Sequence, residues 1–183
     1  KAIGLDQRIG ARFLNAGIGY GGSCFPKDVK ALHAVAGEFG YDTHLLKAVD
    51  LVNNRQKEML LPLISEKLKM VQGNTVTIWG LSFKPKTSDV REAPSIVLIT
   101  RLLEQGVHIK VYDPVAMDEV KKIFGNSIAY CSSVEDSAHA SDIIIVATEW
   151  DEFRNVNFLE VGKNMRHKII IDGRNIYDED HLR

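Results

Sequence analysis

A change of rhythm near the middle of the chain limits what it can fold into more than any other feature. From residue 74 onward, short β-rich runs alternate with stretches of helical spacing. Thr75–Trp79, Val107–Tyr112, Ile128–Tyr130, Asp142–Ala147 and Lys168–Asp172 read as strands. Helices are predicted between them over Pro94–Gln105, Val115–Phe124, Val134–Ala140 and Asn157–Met165. Strands separated by helices run parallel, so residues 74–183 predict an α/β unit with helices on both faces of a parallel sheet. Right-handed crossovers and a strand order of 3-2-1-4-5 follow.

Residues 1–73 contain no convincing strand and read as an all-helical segment, with the boundary at the turn-forming pair Gly73-Asn74. A first helix is expected from Leu5 to Asn15, followed by a glycine loop over residues 17–22. Pro26 suits the first turn of the next helix, Asp28 complements its dipole, and Gly40 ends it. A long helix then starts at Asp42 or Thr43 and carries Leu45, Val49, Val52, Leu60, Ile64 and Leu68. It would run for roughly 28 residues against a mean of about 12, the length of a domain connector or an oligomer interface. Pro62 predicts a kink near Glu58 or Met59, where a carbonyl loses its donor.

Composition narrows the function. The formal net charge of -1 over 183 residues gives no overall field to attract nucleic acid or an acidic membrane. No apolar run reaches the roughly 18 residues needed to span a bilayer. Two cysteines are too few for a disulfide scaffold and fit a reducing compartment, so a cytoplasmic protein is expected. The six histidines show no metal-ligand spacing.

In parallel sheets ligands sit beyond the carboxyl ends of the strands. That edge would carry Gly80–Lys84, Asp113, Thr148-Glu149-Trp150 and Asp172-Gly173-Arg174. The turn after the first strand offers a glycine, a hydroxyl, Lys84 and Lys86, which suits a phosphate or pyrophosphate group and equally a solvated basic turn. Arg91 and Arg174 read either as part of such a site or as a helix-start neighbour and a surface charge.

The string Gly17–Gly22 matches G-x-G-x-x-G, with Asp42 following at the spacing of a dinucleotide site. Its context contradicts that match, because no strand precedes it. The glycines are better explained by close approach of backbone to a ligand or by a sharp helix entry. Cys24 follows, just before Pro26. Free amides at the helix start and the nearby Lys27 would favour its thiolate, and Asp28 lies on the same helical face, where it could take a proton from water. Chemistry alone leaves Cys24 either a reactive thiol or a small hydrophobe. Cys131, with no catalytic neighbours, reads as structural.

Gly19-Tyr20-Gly21-Gly22-Ser23-Cys24-Phe25-Pro26-Lys27-Asp28 resembles the active-site segment of the UDP-glucose/GDP-mannose dehydrogenase family. Trp79–Lys84 with Asp89-Val90-Arg91-Glu92 resembles the start of that family's UDP-binding domain, and Tyr112-Asp113-Pro114, Thr148–Phe153 and Asp172-Gly173-Arg174 match further landmarks in order. The resemblance implies a Rossmann-like UDP-binding domain over 74–183 and a central helical dimerisation segment over 1–73. It implies oxidation of a nucleotide-sugar C6 alcohol to a carboxylate with two NAD+ reduced, Cys24 passing through a thiohemiacetal and a thioester and Asp28 handling water. Substrate contacts are implied for Phe13, Gly19, Tyr20, Gly21, Gly22, Phe83, Lys84 and Arg174, and for Arg8 toward the neighbouring subunit. Lys27, in a supporting electrostatic role, and Arg91, near the pyrophosphate, fall on the cofactor side. The long helix reads as the core of a homodimer. UDP-glucose is favoured over GDP-mannose or UDP-N-acetylmannosamine by Phe25, the Lys84–Thr87 turn and Glu149-Trp150. The opening at Lys1, without Met and without the family's NAD-binding domain, predicts a fragment inactive by itself. A different class is a nucleotide-binding or dimerisation module in which Cys24 is inert.

Overall fold

The computed structural model describes residues 2–11, 14–69 and 71–178. Its sheet has five strands: β1 (Thr75–Trp79), β2 (His108–Tyr112), β3 (Ala129–Tyr130), β4 (Ile143–Val146) and β5 (Ile170–Asp172). The order is β3-β2-β1-β4-β5 and every pair is parallel, as the alternation predicts. Trp79 pairs with Tyr112 and with Val146, and Val146 with Asp172. The strands therefore end at one level, and the segments that follow them form a single rim. The outer strands are short, β3 with 2 residues and β5 with 3.

Side-chain alternation sorts the core into two layers. Val76, Ile78, Ile143 and Ile145 point to one face, where they meet Leu98, Ile99 and Leu102 of α4 (Pro94–Glu104) and Val120 of α5 (Met117–Phe124). Trp79, Ile144 and Val146 point to the other. There they meet α6 (Val134–Ala138), α7 (Asp151–Arg154) and α8 (Phe158–Asn164) through Val134, Phe153 and Val161. Trp79 stacks on Phe153 at 5.6 Å between ring centroids, and its indole N–H donates to Ser137 Oγ at 2.7 Å. The short helix α7 was not foreseen, because 4 residues are too few to display a period.

The first region gives α1 (Phe25–Glu38), α2 (His44–Lys57) and α3 (Leu60–Leu68), with no strand among its described residues. Helix α1 ends in a Schellman arrangement: Gly40 at φ +76 lets its N–H reach Gly37 O at 3.0 Å and the Tyr41 N–H reach Ala36 O at 2.9 Å. Two expectations change. The single long helix is two helices, broken at Glu58-Met59. Pro62 cannot donate to the Glu58 carbonyl, and the Leu61 N–H takes that acceptor at 3.1 Å in a tighter turn. Thr43 is the N-cap of α2, but its hydroxyl bonds His33 Nδ1 at 2.5 Å rather than a helix amide.

The helix expected over Leu5–Asn15 is also absent among the described residues. A 3-10 turn spans Ile3–Leu5, and Asp6 then leaves helical space at ψ 121. Its carboxylate accepts the Arg8 backbone N–H at 2.9 Å, a local bond that competes with the helix, and Gly10 follows at φ +71. Helix α3 seats Leu60 and Ile64 in the same core layer as α4, so the half of the expected long helix beyond the break is anchored on the sheet.

Candidate functional site

The rim of the sheet is built by two carboxylates that the sequence placed there. Asp113, 2% exposed, accepts the backbone N–H groups of Leu81, Val115 and Ala116 at 2.7, 2.9 and 2.8 Å, and the Trp150 indole N–H at 3.0 Å. Asp172 accepts the N–H groups of Arg174, Ile176 and Tyr177 at 2.9, 2.7 and 2.9 Å. Both acids are fully engaged in shaping loops. Thr148 adds a bond from its hydroxyl to Ser82 O at 2.6 Å. Gly80, at φ +88, lies so close to Thr148 that an added Cβ would stand 2.5 Å from the threonine Cβ. The loops after β1 and β4 are thereby locked together, with Phe83 and Lys84 presented above them.

The glycine string packs onto this rim. A Cβ on Gly21 would stand 2.4 Å from Glu92 O, and one on Gly22, at φ +90, would stand 2.8 Å from the Phe83 ring. The Gly22 N–H donates to Arg91 O at 2.8 Å. Asn53 of α2 grips Tyr20 on both sides, accepting its N–H at 2.8 Å and donating to its carbonyl at 3.1 Å. Gln56 donates to Gly17 O at 2.8 Å. No strand leads into the string and its glycines face protein, so it does not form a dinucleotide cradle.

Between the glycine loop, α2 and the rim lies a cleft of about 1110 Å³. Gly19, Tyr20 and Gly21 line one side, Phe83, Lys84 and Lys86 another, and Arg174 with Glu149 a third. Leu45, Val49 and Val52 of α2 complete an apolar wall. Arg174 Nη2 donates to Glu149 Oε1 at 2.9 Å, and its Nε stands 2.8 Å from Oε2, close but off the hydrogen-bond axis. The Lys84 ammonium lies 5.2 Å from the centroid of the Phe83 ring. The Tyr20 hydroxyl is buried without a hydrogen-bond partner among the described residues; burial first, and Asp50 next, push its proton affinity up.

The remaining predicted residues stand apart from this lining. Cys24 is exposed at the N-cap of α1, its Sγ 3.7 Å from Ser23 Oγ, with the cleft residue Phe25 next in sequence. It fills no core position among the described residues. Asp28 is one turn further on, exposed, 3.5 Å from Lys27 Nζ. Arg91 is clamped to Asp89 through Nε and Nη2 at 2.9 and 2.7 Å. That bond, above all, raises the guanidinium pKa. Arg8 is exposed, bonded to Asp6, and absent from the cleft lining. Phe13 lies outside the described residues.

Sequence reasoning missed the joint beneath the glycine loop. Glu92 receives Lys57 Nζ at 2.9 Å and Lys30 Nζ at 3.1 Å, with the Lys57 side chain only 3% exposed. Lys57 first, then Lys30, hold the Glu92 carboxyl below its ordinary range. The available signal was Asn53, Gln56 and Lys57 interrupting the apolar stripe of a predicted helix. Among the described residues no group of three His, Cys, Asp or Glu could hold a metal, and no helix is long and apolar enough to cross a membrane.

The profile of the UDP-glucose/GDP-mannose dehydrogenase family, UDP binding domain, matches residues 77–179, and that of the family's central domain matches residues 1–55. The chain belongs to this family. A UDP-glucose 6-dehydrogenase of Pseudomonas aeruginosa is 44% identical over 97% of the chain, and one of Bacillus subtilis 43% identical over the same share. The chain spans 40% of the length of each. Among solved structures, a UDP-glucose dehydrogenase from Pyrobaculum islandicum superposes with a TM-score of 0.85 at 35% identity, covering 96% of the chain and 39% of that protein.

Proposed function

We propose that this member of the family performs the central and UDP-binding part of an NAD-dependent UDP-glucose 6-dehydrogenase, holding a UDP-sugar and presenting Cys24 to its C6. One observation carries the reading: the glycine loop leading to Cys24 and the nucleotide-side residues Phe83, Lys84 and Arg174, distant in sequence, line one cleft. Residues 1–73 form the helical unit that carries the cysteine and residues 74–183 the UDP-binding unit. Lys84 and Arg174 meet phosphate charge. Phe83 supplies an apolar surface.

Cys24 Sγ forms a bond to an aldehyde-level C6 as the carbonyl π pair moves onto oxygen. Asp28, one turn along α1, takes a proton from the water that later displaces sulfur from the acyl carbon. NAD, when bound, accepts hydride. The described residues do not fit its cradle, since the glycine string is filled by Glu92 and Phe83, and Lys27 and Arg91 are the residues the resemblance offers to a pyrophosphate arriving from outside. The 183 residues are therefore proposed to bind nucleotide sugar without oxidising it. Leu45, Val49 and Val52, on the α2 wall of the cleft, are exposed at helical spacing, which supports a homodimer through α2. Arg8, exposed and unused in its own cleft, fits a reach into a second copy. Two free cysteines support a cytoplasmic location.

Titration calorimetry tests the reading. UDP and UDP-glucose are expected to bind, UDP-glucose more tightly than GDP-mannose or UDP-N-acetylmannosamine, and NAD+ alone not to bind. Binding of NAD+ with no binding of UDP overturns it; preference for either other sugar nucleotide moves the substrate to that class.

A further inference from the structure

We propose that Lys86 is a second phosphate-binding cation of the cleft, acting beside Lys84 on the diphosphate of a nucleoside-diphosphate ligand. This rests on the nucleotide-sugar reading and adds to it a residue that the motif does not mark. Lys86 lines the cleft with Lys84 and Arg174. A diphosphate brings roughly two or more negative charges into that space. Arg174 is already engaged by Glu149, through one hydrogen bond from Nη2 and an Nε that stands 2.8 Å from the other carboxylate oxygen. The Lys84 ammonium stands over the Phe83 ring. Lys86 has no acidic partner among the described residues. Among the described residues lining the cleft, it adds an unpaired charge to that of Lys84.

The backbone gives an independent reason. Lys86 sits at φ +63, a region where Gly or Asn is the ordinary occupant because a Cβ crowds the carbonyl. The loop imposes the angle: the Phe83 N–H donates to Asp89 O at 3.1 Å, Ser82 Oγ donates to Lys84 O at 2.8 Å, and the Asp89 N–H donates to Thr87 Oγ1 at 3.2 Å. The other side chains at positive φ have local explanations. Lys69 and Ala140 stand at the ends of α3 and α6, where a left-handed residue is ordinary. Asn175 is a residue type that tolerates it, and Glu92 is held there by two lysines. Lys86 has neither. A strained residue whose side chain makes no hydrogen bond or ion pair among the described residues yet borders a cleft is placed for what enters the cleft. Its ammonium, a compact charge on a flexible stem, can follow a phosphate without fixed geometry.

The test compares the chain with Lys86→Asn and Lys86→Arg by NMR shift titration with UDP and with uridine, alongside thermal unfolding. Lys86→Asn relieves the strained position, so its Tm should equal or exceed that of the parent. Its UDP affinity should fall about tenfold, the scale of one lost bond to a charged group, while uridine affinity stays unchanged. Lys86→Arg, strained like the parent but charged, should bind UDP within about twofold of it. Parent-like UDP binding by Lys86→Asn overturns the inference and leaves the nucleotide reading standing. Equal loss of UDP and uridine overturns it too, marking a backbone effect. A parent that binds uridine and UDP alike refutes any phosphate clamp, and one that binds neither refutes the nucleotide reading itself.

Discussion

Exposure separates the two thiols. Cys24 stands in solvent at the start of α1, whereas Cys131 is buried at 8% exposure and burial pushes its thiol pKa up. Iodoacetamide should therefore label Cys24 at least about tenfold faster than Cys131 near neutral pH. Equal, slow labelling would remove the case for Cys24 as a nucleophile and favour an inert binding module. Around Cys24 the sequence was partly readable. The mismatch between a glycine fingerprint and its strandless context excluded a dinucleotide loop, and Gly21 and Gly22 pack against Glu92 and Phe83. Glu92 itself was not readable. Its partners lie 35 and 62 positions away, and no local period links a carboxylate at a helix entry to lysines on two other helices.

Pro62 shows what can be foretold about an element and what cannot. The missing N–H located the fault at Glu58-Met59, but whether it bends or breaks the helix is settled by packing. The Leu61 N–H closes on Glu58 O, and Leu60 and Ile64 find the sheet. The Glu92 joint ties α1 and α2 to the loop ahead of α4. Its carboxyl is held below the unfolded value of 4.5, so the stability it contributes is present above that value and is lost as pH falls through the lower, folded one. Glu92→Gln strands the buried Lys57 ammonium and should cost about 2 kcal/mol at neutral pH, a figure reduced from a fully buried pair because Glu92 is partly exposed. Thermal unfolding followed by circular dichroism from pH 3 to 7 should show a lower Tm at pH 7 and a flatter acid limb for the variant. An unchanged profile would mean the joint carries no stability.

At the scale of the whole molecule, the sheet was the most legible part. Alternating runs and helices specify parallel pairing, and the order observed is the one that right-handed crossovers favour. The cleft was legible as a rim but not as a volume, because its far wall comes from α2, whose orientation no pattern encodes. That wall bears on assembly. A Leu45→Lys, Val52→Lys double variant, altering exposed positions only, should keep its far-UV circular dichroism and sediment as a monomer where the parent is expected to sediment as a dimer. A parent that is monomeric at micromolar concentration would refute α2 as the contact. The outer strands limit the alternatives. With 2 and 3 residues, β3 and β5 expose too little unpaired backbone to template another strand, so the sheet is poorly suited to edge-to-edge stacking. Copies of this molecule that meet are better served by side-chain contacts than by a shared sheet, which makes their association sensitive to single substitutions.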